Sequence, residues 1–295
     1  MGYVLRQKER IDAGVRRVVR EQVRGAMRDL AVPAEGRHEG VHEARKRFKM
    51  IRAVLRLARP TLGELTFALE NTWYRDTGRR LSSVRDAVAM IECFDALARR
   101  SPRGIPTDLA VPVRAGLEAR LEALSGDEAG IEARCAEVTS GLHAALARVK
   151  DWDLADRGFR TIGPGLARVY RQGRRAMALA LVEPTDGNLH EWRKRVKDHW
   201  YHVRLLRNLW PKVMDAYKRE LKVLSEALGD DHDLAVLGPV LREAPDAFGG
   251  AASVQAVLEV AGSRRGQLLE QARVVGRRIY AERARTLLAR FQSRW

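Results

Sequence analysis

Cysteine is nearly missing from this chain: Cys93 and Cys135 are the only two in 295 residues. They are too far apart for a Cys-x-x-Cys site and too few for a disulfide scaffold, so a reducing, cytoplasmic setting is the expectation. No apolar run approaches the roughly 18 residues that a membrane-spanning helix needs. The N-terminus, Met1-Gly-Tyr-Val-Leu-Arg6-Gln-Lys8, has no apolar signal core, and arginine at position 6 breaks the myristoylation pattern. A soluble protein with no membrane partner follows as an expectation. Alternating β-branched runs are also absent, which argues against a fold built on sheets. There is no glycine-rich nucleotide loop, no plausible pair of catalytic carboxylates and no nucleophile beside its base. The expectation is a binding module without enzymatic activity, cofactor or metal.

Lysine is scarce as well, with 9 against 45 arginines, and its placement is informative. Four of the nine, Lys46, Lys49, Lys194 and Lys197, fall in one motif that occurs twice. The net charge of +16 is just as localised. Residues 1–60 hold 16 basic and 7 acidic side chains, residues 158–211 hold 11 and 4, and everything else holds 27 of each. The excess therefore sits in two segments and implies a polyanionic partner. With 45% hydrophobic residues the chain is no disordered polycation.

The first segment is organised around His42-Glu-Ala-Arg45-Lys46-Arg-Phe48-Lys49-Met-Ile51-Arg52-Ala-Val-Leu55-Arg56-Leu-Ala-Arg59-Pro60. On a helix, His42, Arg45, Lys49, Arg52, Arg56 and Arg59 recur at steps of three and four and form a cationic seam. Ala44, Phe48, Ile51, Leu55 and Ala58 form an apolar row beside it that can pack on a neighbouring helix. Counting 148 residues on, His190-Glu191-Trp192-Arg193-Lys194-Arg195-Val196-Lys197 repeats the first eight residues, with changes only at apolar positions. Arg204 matches Arg56, Arg207 matches Arg59, and Pro211 is expected to end the second helix as Pro60 ends the first. Trp200 in place of Arg52 is the clear departure, and it predicts that the two sides are not fully equivalent.

The chain in order reads as helices from end to end. A first helix is expected from about Val4 to Leu30, then the basic helix to Pro60, and a long helix from about Leu62 to Arg100. Helical material between Thr107 and Val149 is expected to break at Ser125-Gly126-Asp127. In the second half, Gly165 to Arg171 parallels Gly14 to Arg20, and Leu228-Gly229-Asp-Asp-His232-Asp233-Leu-Ala235 parallels Leu81-Ser-Ser-Val84-Arg85-Asp86-Ala-Val88. A final helix is expected from about Ala251 to the C-terminus. The fold class is all-α: one domain over 1–295 made of two helical-bundle halves, 1–155 and 156–295, four helices each, with an approximate two-fold between them.

Paired His-x-x-Arg-x-x-x-Lys rows opening a helix in equivalent halves of a chain this long resemble the CHAD family, the conserved histidine α-helical domain. The segments from Leu228 and from Leu81 look like that family's pattern after its basic helix. The resemblance covers essentially the whole chain. It implies two four-helix bundles whose basic helices line a shared positive channel for inorganic polyphosphate, with association with polyphosphate granules as a further expectation. The implied binding residues are His42, Arg45, Lys46, Lys49, Arg52 and Arg56 in the first half, and His190, Arg193, Lys194, Lys197, Arg204 and Arg207 in the second. The first-helix arginines Arg17, Arg20, Arg168 and Arg171 join them. Many relatives carry an adjoining triphosphate-hydrolysing tunnel domain, for which these residues leave no room, so that activity is not carried over.

Other readings stand beside this one. An isolated basic helix is more often a solvated face than a site, and the duplication is what weighs against that here. His42 and His190 could donate to a ligand, accept a phosphoryl group, ligate a metal or pack at a helix N-terminus. Arg17 and its equivalents could pair with acids between helices. Trp73, Trp192, Trp200 and Trp210 lie at helical spacings and suit a core better than a stacking platform. Histidine phosphotransfer or a phosphate-signalling scaffold is the second functional reading. Non-specific nucleic-acid binding is the third, and against it no helix-turn-helix, zinc finger or RNA-binding strand is recognisable. Asp230-Asp231-His232-Asp233 is polar and compact, but neighbours on a helix point apart and cannot converge on one ion. His199, at the position of Ile51, is expected to pack.

Overall fold

The computed structural model describes the backbone of residues 2–33, 36–81, 83–125, 128–155 and 158–295, with side chains for all of these except 83–86, 125 and 128–129. It is all-α. Among the described residues there are eleven helices and no β-strand, and the great majority of those residues are helical. In order they are α1 (Ile11–Leu30), α2 (Arg37–Leu62), α3 (Glu64–Arg80), α4 (Ser83–Arg100), α5 (Thr107–Ser125), α6 (Glu128–Arg148), α7 (Gly163–Val182), α8 (Asp186–Leu205), α9 (Pro211–Glu243), α10 (Gly250–Ile279) and α11 (Ala284–Gln292).

The helix α2 lies at the centre, packed against α1, α3, α7 and α8. Its apolar row accounts for this: Ala44, Phe48, Ile51, Leu55 and Ala58 are each no more than 1% exposed. Burying Phe48, Ile51 and Leu55 contributes roughly 1.5–3 kcal/mol apiece. On α8 the matching row is Trp192, Val196 and His199, all fully buried. Val15, Val18, Val19, Val23 and Ala26 seat α1 on α2 by the same three-and-four spacing. The α7 helix reaches the α2 backbone through Gly165, where a Cβ would lie 2.0 Å from the Leu57 carbonyl oxygen. Buried side chains from both halves form one continuous core.

Several boundaries depart from the sequence expectation. The first helix begins at Ile11, because residues before it fold into a tether: Leu5 N–H donates to the Leu205 carbonyl at 2.8 Å, and Arg6 N–H to the Glu9 carboxylate at 2.7 Å. Pro60 does not end α2, which continues to Leu62 and stops at Gly63 with φ 82°. Proline deletes one helical hydrogen bond without forcing a stop, and Gly63 adopts the left-handed conformation easily. Pro211 opens α9 rather than closing α8, occupying the first turn, where its missing N–H costs nothing. The stretch Leu62 to Arg100 is two helices, α3 and α4, whereas its second-half counterpart α9 is a single helix of 33 residues. The C-terminal stretch is likewise divided into α10 and α11. The break expected between Thr107 and Val149 is present, with Gly126 and Asp127 themselves outside the described residues. With six described helices before residue 155 and five after, the count is not four per half. The equivalence of Arg85 and Asp86 with His232 and Asp233 also lies outside the described side chains.

Candidate functional site

Thr185 caps α8 by accepting from Asn188 N–H at 3.2 Å, which places His190 one turn into the helix and sets the phase of the basic row. Two buried contacts then fix α8 against α2. His202 Nε2 donates to the Ala53 carbonyl at 2.8 Å, and the Arg56 guanidinium lies 3.2 Å from the Asp198 carboxylate. Asp198 also faces Arg195 at 3.6 Å. With the two helices braced in this way, their basic rows face each other across a cleft of about 510 Å³, closed on a third side by α3.

Eight of the sixteen residues expected from the sequence line this cleft: Arg45, Lys49, Arg52 and Arg56 from α2, and His190, Arg193, Lys194 and Lys197 from α8. Arg195, Asp198 and Tyr201 of α8 line it too, and α3 adds Tyr74, Arg75, Gly78 and Arg79. The balance is ten basic side chains against one acid, Asp198. Sequence reasoning missed Arg75 and Arg79. They are four apart on a helix, but nothing in the duplicated rows points to them.

The other expected residues lie elsewhere. Lys46 is held by Glu43, as Lys194 is by Glu191, a duplicated pairing three residues apart. His42 is half-buried on α2 outside the cleft lining, so the two motif histidines are not equivalently placed. Arg204 lies over the rings of Trp200, Tyr3 and Tyr201, at 4.6, 5.5 and 5.9 Å. Arg207 is exposed and paired with Asp215 at 2.9 Å. Arg17 is occupied by Glu9 at 2.5 Å and Glu21 at 3.2 Å, the acid pairing weighed as its alternative. Arg20 is half-buried on α1, and Arg168 and Arg171 are exposed on α7, none of them in the cleft lining. Of the tryptophans, Trp192 is core, while Trp210 is 38% exposed.

Concentrating cations raises the cost of each one. Burial, with Arg56 and the Arg75 and Arg79 guanidiniums of α3, pushes the Arg52 pKa down to about 10 even though Asp198 opposes the shift. Burial lowers the Lys197 pKa, helped by Arg193 and, from the other basic helix, by Lys46. His190 is pushed down to about 4 by burial and then by His232, whose ring lies 4.4 Å away, and by Lys194 and Arg193. It is therefore a neutral imidazole at pH 7. The Arg193 Nε and His190 Nδ1 are buried, with no hydrogen-bond partner among the described residues.

The Asp230 to Asp233 run diverges as its helical spacing requires. Asp231 receives Arg265 at 2.7 Å, His232 stacks on His190, and Asp230 and Asp233 line a separate cavity with Cys93. Among the described residues no helix is long and apolar enough to cross a membrane.

A family model, the CHAD domain, matches residues 11–242 of the 295. The chain belongs to the CHAD family. Comparison with curated proteins finds no match. The matched region contains both basic rows of this CHAD chain and every residue of the cleft.

Proposed function

We propose that this CHAD chain binds inorganic polyphosphate in the cleft between α2, α3 and α8. The observation that carries the reading is the convergence of duplicated rows from both halves on one cavity, ten cations to one acid. Polyphosphate bears roughly one charge per phosphoryl unit and has no base or sugar to read, so it is recognised by charge density and donor spacing. Arginine forks grip two oxygens at once, and lysine supplies compact charge with freely directed donors. The reading extends to the architecture: halves 1–155 and 156–295 are equivalent units related by an approximate two-fold that turns α2 toward α8. Its support is that the pairing of α1 on α2 and α6 on α1 recurs as α7 on α8 and α11 on α7. The protein acts as a binder without catalysis, and holding long chains this way would place it on polyphosphate granules.

The test is a titration with long-chain polyphosphate at increasing salt, followed by anisotropy and thermal melting. Binding releases condensed cations, so log K should fall linearly with log salt, at about 0.7 per phosphate contact if the polymer behaves like a single-stranded nucleic acid. The melting temperature should rise by mass action. Arg45→Glu with Arg193→Glu should abolish retention while leaving helicity intact. A melting curve unmoved by excess polyphosphate at low salt contradicts the proposal. Preference for DNA at matched charge would move the reading to nucleic acid, and acid-labile phosphate retained on His42 or His190 would move it to phosphotransfer.

A further inference from the structure

The cleft is asymmetric in a way that the duplicated rows do not account for. With Leu81 and Leu228 as partners, Arg75 of α3 corresponds to Lys222 of α9, and Arg79 to Glu226. On α9 the two side chains face each other at 3.4 Å and cancel. On α3 both are cations and both line the cleft. The basic rows differ in the same sense, because Trp200 replaces Arg52, and Lys197 and Arg204 lie over its ring at 5.9 and 4.6 Å. Arg52 reaches toward α3, its Nε donating to Asn71 at 3.1 Å. Positive charge thus continues from α2 onto α3 and is neutralised toward α9.

We infer that Arg75 and Arg79 form a third, unduplicated contact strip, so that a polyphosphate chain held between α2 and α8 leaves the cleft across α3 and not across α9. In the free protein one carboxylate occupies this strip. Asp76 accepts from Arg75 at 2.8 and 3.0 Å and lies 3.7 Å from Arg79. Arg79 is 73% exposed and Asp76 is 42% exposed, so an incoming phosphoryl group can displace the carboxylate without unpacking the core. Asp76 is an intramolecular stand-in for the ligand and competes with it. The strip forms the α3 wall of the cleft, so a chain long enough to cross all three helices engages it fully and a short one engages it less. This makes Arg75 and Arg79 determinants of chain-length preference.

The inference rests on the proposed polyphosphate binding, and the experiment separates the two. Wild type, Arg75→Gln/Arg79→Gln, Asp76→Asn and Lys222→Gln are each titrated with tripolyphosphate and with long-chain polyphosphate over a series of salt concentrations. The double variant should bind the long chain about tenfold more weakly, with a salt slope lower by about 1.4, two contacts at about 0.7 each. Its tripolyphosphate affinity should fall by a smaller factor than its long-chain affinity, and an equal fall for both ligands would overturn the chain-length role. Asp76→Asn should tighten long-chain binding by about twofold to threefold, and because that change is opposite in sign, general unfolding cannot mimic it. Lys222→Gln should match wild type. A long-chain Kd and salt slope unchanged in the double variant, with wild type binding normally, overturn the α3 strip alone. Wild type that fails to bind either phosphate overturns the binding proposal and the strip together.

Discussion

Replacing Arg52 by glutamine should make the ligand-free protein more stable. Its pKa is pushed to about 10 by burial and by Arg56, Arg75 and Arg79, against an ordinary value of about 12.5, which corresponds to about 3 kcal/mol of charging cost at 1.36 kcal/mol per pH unit. The sign is set by proton linkage: the folded state holds this proton less tightly, so the penalty is present throughout the neutral range and lifts only as pH rises through about 10. Against it stands the hydrogen bond to Asn71, worth about 1 kcal/mol when lost. The net gain for Arg52→Gln is about 2 kcal/mol, or about 4 °C in melting temperature at roughly 2 °C per kcal/mol for a chain of this size. Melting followed by circular dichroism at low salt reads this directly, and the difference should shrink in 1 M salt as the cations screen one another. The polyphosphate-induced rise should be smaller in the variant than in wild type. A variant that melts at or below the wild-type temperature at low ionic strength would show that the cationic cluster carries no strain. Binding would then have nothing to relieve.

Acid should weaken the fold through two buried histidines. Burial, followed by the neighbouring His202, pushes His199 down to about 3, and burial pushes His202 down to about 4. Since the unfolded chain takes up these protons near pH 6.5, stability should fall by about 1.4 kcal/mol per pH unit for each histidine as pH drops from 6.5 toward 4. A melting temperature flat over that window, or no flattening in His202→Gln, would contradict this. Gly165→Ala should drive a methyl group into the Leu57 carbonyl and cost about 3 kcal/mol or more. A denaturant midpoint within error of wild type would sink that reading of the α2–α7 crossing.

What the sequence carried best was the phase of the two basic helices. The row from Ala44 to Ala58 is buried as its spacing requires, and the adjacent cationic positions of α2 and α8 line one cleft. Three- and four-residue periodicity reports which face is inside, so those residues were legible one helix at a time. Arg75 and Arg79 were not, because i,i+4 cations on a single helix look like any solvated face until tertiary packing puts α3 beside α2. Arg17 and Arg207 match the duplicated pattern equally well, yet Glu9 and Asp215, eight residues away in each case, occupy them. Pairing of that kind depends on turns that periodicity does not encode. Proline misled at both rows for a related reason: Pro60 sits within the last turn of a helix and Pro211 in the first turn of the next, and only the backbone around them tells these roles apart.

The brace formed by His202 and Asp198 bears on which anions this jaw can hold. Because the spacing between its two cationic edges is set by a core hydrogen bond and a largely buried ion pair rather than by the guest, the opening is a fixed gauge. A limp linear polymer can bend to meet it. A rigid cyclic phosphate carrying the same charge cannot adapt its shape to that gauge and should bind more weakly than the linear chain.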